Sequence, residues 1–239
     1  MNSKYFNITV KPDVTGQNAV TAFADDDVMF DWTSFQVPKG GARLIAVTAL
    51  VKGADITRQE QPMDLYFAKA TSAGNAPTTL GTVNATAAGI GYFNELLGCL
   101  NIPVEDYRDG LDNASVAHTN TVATGAGIVM DDVTPSDGYN TYYLGVIAKG
   151  AFNFGTGVLA NDAVSASDLS FNVDGSHAGK AFAIGDVLVD NGNAAIGTIK
   201  SIATNGLSIT LESGCAEAVA DNDEIVPKNP ITFILHFEK

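Results

Sequence analysis

A glycine-rich segment at residues 155–160 has the spacing of a dinucleotide-binding loop. Gly155, Gly157 and Ala160 match the pattern G-x-G-x-x-A. That loop requires a strand before it and a helix after it, because the N-terminus of the helix holds the pyrophosphate. No helical apolar period follows Ala160, and a chain with 24 glycines produces such spacings by chance. The segment is therefore interpreted as a turn.

A second glycine pattern, at residues 175–180, resembles a phosphate-binding loop. It ends in Gly179-Lys180, but it is one residue too short, and Ala181 stands where a serine or threonine would hold magnesium. This segment is also predicted to be a turn, and we predict no cofactor.

The histidines and cysteines offer little for metal binding or nucleophilic catalysis. His118, His177 and His236 are far apart in the sequence, and neither Cys99 nor Cys215 belongs to a C-x-x-C pair or has a histidine nearby. We predict two buried free thiols, a partly exposed structural histidine at 236, and no metal site. Few cysteines of this kind are compatible with synthesis in a reducing cytoplasm.

Oxygen-rich and aromatic segments supply the remaining candidates. Residues 25–27 (Asp-Asp-Asp) and 221–224 (Asp-Asn-Asp-Glu) could bind calcium, but neither has the twelve-residue pattern of a calcium loop, so solvated turns are favoured. Paired carboxylates could hydrolyse glycosides, but 27 acidic residues make chance pairs common. Trp32, near Phe30 and Phe35, could form a sugar platform, although a core position is the expectation. No catalytic residue is predicted.

The overall charge excludes two classes of partner. Lys and Arg total 13 against 27 Asp and Glu, which gives a formal charge of −14. Nucleic acids and anionic membrane surfaces attract basic proteins and repel this one. We expect no nucleic-acid partner and no membrane partner, and we interpret the acidity as a source of solubility.

The elements that would position these residues are strands. Phe6, Ile8 and Val10 alternate with polar residues, so residues 1–10 predict a strand rather than a signal peptide. The runs 28–37 and 43–51 are rich in β-branched and aromatic residues and flank a Pro-Lys-Gly-Gly turn. Residues 92–100 are the one stretch that we predict as a short helix. Because strands do not alternate with long helices, the sequence predicts an all-β fold.

The strand pattern changes near residues 165–167. Residues 168–228 contain short strands joined by tight turns at Asn191-Gly192 and Asn205-Gly206, which predicts a small SH3-like β-barrel module. The longer strand at 231–237 resembles the early strands. We therefore predict that residues 1–167 plus 229–239 form a β-sandwich (jelly-roll-like) domain, with residues 168–228 inserted in it.

Several short segments of the sequence resemble virion structural proteins of tailed bacteriophages. They lie at residues 27–32, 37–40, 44–48, 63–69, 184–188 and 196–199. The resemblance covers about half of the chain and implies a β-rich, head-associated particle component, such as a capsid decoration protein. It also implies a location in the virion and a partnership with the major capsid protein or another virion protein.

Three functions are therefore considered. A capsid decoration or cement protein, which is not an enzyme, comes first. A host-glycan-binding adhesin or tail-fibre module is second, and a polysaccharide hydrolase is third. The resembled virion proteins commonly form symmetric oligomers, and closed symmetry is the general rule, so we expect a homo-oligomer, with a trimer favoured. The N-terminal residues 1–6 or an exposed strand edge are the expected attachment points.

Overall fold

The computed structural model describes residues 4–14, 20–54, 57–89, 91–108, 110–121, 127–131, 139–175 and 177–239. The chain is nearly all β, with 50% of residues in strands and 4% in helices, as the all-β prediction requires. The elements in chain order are β1 (Tyr5–Val10), β2 (Val28–Pro38), β3 (Ala42–Lys52), β4 (Met63–Lys69), β5 (Leu96–Ile102), a 3-10 helix (Val104–Asp106), β6 (Tyr107–Arg108), β7 (Ala114–Asn120), β8 (Ile128–Met130), β9 (Tyr139–Ala148), β10 (Ser170–Asn172), α1 (Ala178–Ala181), β11 (Val187–Asp190), β12 (Ala195–Ile202), β13 (Ser208–Leu211), β14 (Ile225–Pro227) and β15 (Ile231–Glu238).

The strands form three antiparallel sheets. A six-stranded sheet has the order β1-β15-β3-β7-β6, with β8 also pairing with β3, and a four-stranded sheet has the order β2-β9-β4-β5. A five-stranded sheet has the order β10-β13-β12-β11-β14. None of the three sheets closes on itself within the described residues.

Strand β15 lies in the middle of the six-stranded sheet, between β1 and β3. The prediction that the last strand joins the sheet of the N-terminal strand is therefore confirmed. Burial alternates along β15: Ile231, Phe233, Leu235 and Phe237 are buried, and the residues between them are half-buried. This period of two places one face on the core and leaves the other accessible.

Two hydrophobic clusters divide the described residues into two packed regions. We call the six- and four-stranded sheets together the large region, because their buried faces share one cluster that includes Phe30, Phe67 and Phe233. We call residues 158–227, which contain the five-stranded sheet, the small region, because most of their buried apolar side chains form a second cluster. That cluster begins at Val158, so the change in sequence pattern near residue 165 lies inside the small region and not at its edge.

The two regions contact each other. Val189 and Val226 lie on strands of the five-stranded sheet but are packed in the cluster of the large region. The Lys52 ammonium also forms an ion pair with Asp186. The small region is therefore docked on the large one through apolar burial and at least one ion pair.

The predicted helix at residues 92–100 is wrong. Residues 96–102 form β5, which pairs with β4 from Met63↔Ile102 to Ala68↔Leu96. The spacing of its leucines suits a helix, but the free edge of β4 offers a ladder of backbone hydrogen bonds, and the tertiary pairing overrides the local pattern. Separately, no helix among the described residues is long and apolar enough to cross a membrane.

Candidate functional site

The first candidate surface is the outer edge of β1. Lys4 and Lys239 exchange both backbone hydrogen bonds, with N···O distances of 3.3 and 2.9 Å. In an antiparallel ladder such mutually bonded pairs alternate with non-bonded pairs. The N–H and C=O groups of Tyr5, Asn7 and Thr9 therefore point away from β15, and no described residue hydrogen-bonds to them.

The side chains of β1 leave this edge uncharged. Phe6, Ile8 and Val10 turn toward the core, and the Phe6 ring stacks on Phe237 with 5.2 Å between centroids. Tyr5 is 69% exposed. No residue of β1 is charged, in a chain whose formal charge is −14. Strand edges are usually protected by charge, proline or a bulge, and β1 has none of these.

A row of polar side chains crosses the same sheet from β1 to β7. Asn7, His236, Thr48 and His118 are joined by three contacts of 2.9 Å each: Asn7 Oδ1 to His236 Nδ1, His236 Nε2 to Thr48 Oγ1, and Thr48 Oγ1 to His118 Nδ1. The two imidazole rings lie 5.7 Å apart. The row joins strands that are far apart in sequence, and it begins at the edge strand.

The hydrogen-bond roles in the polar row follow from its one obligatory acceptor. Asn7 Oδ1 can only accept, so His236 Nδ1 donates to it and the neutral ring accepts at Nε2. The Thr48 hydroxyl must then donate to His236, and it accepts from His118 Nδ1–H. Burial, assisted by the nearby His118, lowers the pKa of His236 below its ordinary value and favours this neutral state.

The second candidate surface is a groove beside Trp32. Strand β2 pairs with β9 through Phe30↔Val146 and Thr33↔Leu144, so three steps along β2 oppose two along β9. The extra residue is a β-bulge, and a similar irregularity lies between Val28 and Phe30. Bulges re-aim side chains and are frequent beside functional sites. Here they bring Asp31 and Trp32 to the accessible border of the sheet.

The indole of Trp32 is held by its neighbours on three sides. Its Nε1–H donates to the carbonyl oxygen of Thr78 at 2.7 Å, and the Tyr92 ring meets it edge-on at 5.5 Å. A Cβ atom on Gly145 would lie 3.1 Å from the indole carbons and 2.2 Å from Leu80 Cδ1. Glycine at 145 therefore lets the indole lie close over β9. Trp32 remains half-buried, so the prediction of a core position holds only in part.

The groove has a volume of about 460 Å³ and carries both apolar and charged walls. It is lined by Lys11, Asp13, Val14, Met29, Phe30, Asp31, Trp32, Thr33 and Val83. One Asp31 oxygen accepts the backbone N–H of Leu80 at 2.9 Å, and the other makes no hydrogen bond with a described residue. Asp13, by contrast, is used internally, because it binds Lys228 at 2.9 Å and Asn229 at 2.8 Å.

The acidic segments considered for calcium are engaged in turns and ion pairs. Asp25 and Asp26 share the ammonium of Lys149, at 3.2 and 2.5 Å, and these hydrogen bonds raise the pKa of Lys149. Asp223 accepts the N–H of Ala220, and Glu224 accepts the N–H of Gly157 at 2.8 Å. Among the described residues, no group of three or more His, Cys, Asp or Glu could hold a metal ion.

The two glycine patterns also lie in turns and short elements. Gly155 and Gly157 precede the small region, the N–H of Gly157 donates to Glu224, and no helix directly follows Ala160. The second pattern leads into α1, a helix of four residues, and the carbonyl of Lys180 accepts a hydrogen bond from Asn113. The first segment, and the described residues of the second (175 and 177–180), do not have the structure of a phosphate loop.

The prediction of two buried thiols is wrong for Cys99. Cys99 is exposed because it lies on β5, the edge strand of the four-stranded sheet, on the face turned from the core. Cys215 is buried as predicted, and its thiol lies 2.8 Å from the Glu217 carbonyl. Burial raises the pKa of Cys215, which disfavours the reactive thiolate form.

Comparison with known proteins identifies no family. No protein-family model matches the chain, and no curated protein matches it. Weak likenesses exist among solved structures, including a serine protease of Aeromonas sobria (TM-score 0.23, 10% identity, 98% of this chain and 27% of that one). A structure of the Gx strain of infectious bursal disease virus is another (TM-score 0.17, 9% identity, 100% and 41%). The chain thus spans well under half of either protein, and such low TM-scores carry no inference about fold or function.

Proposed function

We propose that this protein is a virion structural protein of a tailed bacteriophage, a capsid decoration or cement protein that docks on the shell through β1. The observation that carries the proposal is the open, uncharged edge at Tyr5, Asn7 and Thr9. The resemblance of several short segments of the sequence to phage virion proteins supports the choice of particle.

Strand addition is the binding mode that this edge suits best. An extended segment of a shell protein laid beside β1 would pair with the three outward-facing residues and continue the six-stranded sheet. Its side chains would contact Tyr5, which is 69% exposed. Backbone hydrogen bonds would supply affinity, and the exposed side chains would supply specificity.

The net charge also favours this mode over electrostatic attachment. At −14, the protein gains nothing from packaged nucleic acid, and an acidic shell surface would repel it. Charges on exposed surfaces are screened beyond about 8 Å at physiological salt. Attachment through apolar burial and backbone pairing should therefore vary little between low and moderate salt.

The architecture we propose has a jelly-roll-like β-sandwich and a small SH3-like inserted module. The shared cluster of the six- and four-stranded sheets supports the sandwich, and the separate cluster of residues 158–225 supports the module. We further propose a homo-oligomer on the particle, with a trimer favoured, because the resembled virion proteins commonly form symmetric oligomers and closed symmetry is the general rule.

A host-glycan-binding adhesin or tail-fibre module is the second candidate. The specific observation in its favour is the groove with the half-buried Trp32, since aromatic faces and carboxylates are common in saccharide sites. No observation on the described residues favours the polysaccharide hydrolase.

The test uses substitutions that act only on the outward edge. Thr9→Pro removes an outward N–H and adds a ring on the solvent side, where an edge strand tolerates proline. Thr9→Val keeps the N–H and is the matched control. We expect Thr9→Pro to abolish binding to undecorated particles in a sedimentation assay, with a melting temperature close to that of the wild type, and Thr9→Val to bind normally.

Two results would contradict the proposal. Normal binding of Thr9→Pro would show that β1 is not the docking edge. A steep loss of wild-type binding with added salt would indicate a basic receptor patch instead of backbone pairing.

A further inference from the structure

We propose that the groove beside Trp32 binds a neutral saccharide. The inference is independent of shell attachment, because the groove is lined mainly by β2, residues 11–14 and Val83, and not by the outward edge of β1. It assigns to this protein a small-ligand site in addition to a structural role.

The indole supplies a platform for a sugar ring. Its one hydrogen-bond donor is already used by the Thr78 carbonyl, so the part of the indole that borders the groove is apolar. The face of an aromatic ring carries partial negative charge and attracts the partially positive C–H groups of a pyranose. Because Tyr92 and Gly145 fix the indole, little side-chain entropy is lost on binding.

Polar groups at the groove suit hydroxyl groups of a ligand. Asp31 holds Leu80 N–H with one carboxylate oxygen, which fixes the side chain, and its second oxygen can accept from a sugar hydroxyl. The Lys11 ammonium makes no ion pair with a described residue and can donate. The hydroxyl of Thr33 can do both. A hydroxylated ring presents donors and acceptors of this kind around an apolar face.

Charge decides between neutral and acidic saccharides. Asp13 is paired with Lys228, so Asp31 and Lys11 are the remaining charges of the groove, and the surrounding chain carries −14. A sialic or uronic acid would therefore meet a repulsive field, whereas a neutral hexose or N-acetylhexosamine would not. The volume of about 460 Å³ accommodates one to two sugar rings.

The chain contains a single tryptophan, which makes Trp32 a specific reporter of this site. We would titrate the full chain with glucose, galactose, N-acetylglucosamine and their short oligomers while exciting the indole alone. We expect saturable changes in Trp32 emission for at least one neutral sugar and none for sialic acid at equal concentration. Concentrations up to about 100 mM cover the millimolar affinities of open sites.

Three variants test the groove. Asp31→Asn keeps an oxygen for Leu80 N–H but loses the carboxylate, and should weaken the affinity about tenfold, the effect of one hydrogen bond to a charged group. Tyr139→Ala removes an exposed aromatic side chain outside the groove and should leave the affinity unchanged. Trp32→Phe removes the fluorescent reporter, so its sugar binding would be measured by calorimetry. We expect the affinity to fall at least severalfold.

The proposal is overturned if no neutral sugar changes the emission, if Asp31→Asn binds as tightly as the wild type, or if sialic acid binds as well as neutral sugars. None of these outcomes bears on shell docking, which is measured separately with Thr9→Pro.

Discussion

The large and small regions of this protein hold their strands together in different ways. In the large region, β2 and β3 have 11 residues and β9 has 10, and they bury aromatic side chains between two sheets. In the small region, β10 has 3 residues and β11 and β13 have 4, and the core is mostly aliphatic. Long strands with large buried side chains are stabilised by their own packing. Short strands depend for their stability on tight turns and on docking to a larger region.

The candidate functional surfaces described above lie in the large region. The open β1 edge, the polar row and the Trp32 groove all belong to the large region. The small region contributes Val189 and Val226 to the large core and an ion pair to Lys52. We infer that the large region is the framework of the molecule and that the small region is stabilised by it.

The largest expected effect comes from truncating a central side chain of the large region. Phe233 on β15 is completely buried between neighbouring strands. We expect Phe233→Ala to lower the free energy of unfolding by about 3–5 kcal/mol, the range for buried phenylalanine. Urea unfolding followed by Trp32 emission would show this. Phe171→Ala is the matched change in the small region. We expect its urea midpoint, as reported by Trp32 emission, to stay much closer to that of the wild type.

Equal shifts of the Trp32 midpoint in these two variants would break the comparison, since they would mean that both regions unfold as one unit.

A deletion tests whether the framework survives alone. The N–H of Ile225 binds the carbonyl of Val158 at 2.9 Å, so a short glycine linker can replace residues 159–224 without moving the ends. We expect a folded β protein with cooperative melting at a lower temperature, because Val189 is lost from the core. Loss of cooperative melting would show that the small region is an integral part of the fold.

The two cysteines give each region its own probe. We expect Cys99 to react quickly with a thiol reagent in the native protein and Cys215 to react only after the small region opens. In rising urea, Cys215 should become reactive before Trp32 emission changes. Simultaneous changes of the two signals would contradict an independent opening of the small region, and Cys99→Ser isolates the slower thiol.

A smaller, pH-dependent effect is expected in the polar row. Burial, followed by the charge of His118, lowers the pKa of His236 below its ordinary value of about 6.5. The unfolded chain then binds more protons than the folded one, so His236 contributes stability above pH 6.5 that is lost as the pH falls toward its folded pKa. When the pH is lowered below 6.5, the urea concentration at the unfolding midpoint should therefore decrease. It should decrease less in His236→Gln. An equal fall in both proteins would exclude His236 as the cause.

Much of the fold could be predicted from local pattern. The alternation in β1 and β15 and the β-branched runs of β2 and β3 determine which residues face the core, so these strands were predictable. Strand β5 was not predictable, because the spacing of its leucines fits a helix and only its pairing with β4 makes it a strand. The edge position of β5, and with it the exposure of Cys99, also depends on sheet order.

The candidate sites were less predictable, because each depends on register. His118 and His236 meet only because β3 pairs with both β7 and β15, which places Thr48 between them. The bulges beside Trp32 arise from the alignment of β2 with β9, and no sequence motif predicts them. Gly145 was a possible signal, because a glycine within a strand often marks a close approach, here by Trp32 and Leu80.

Cryo-electron microscopy of a particle carrying this protein tests the central claim, docking by strand addition, most directly. The account predicts a segment of a neighbouring virion protein running beside β1 at about 4.8 Å, hydrogen-bonded to Tyr5, Asn7 and Thr9. A particle in which the outer edge of β1 faces solvent would contradict the account.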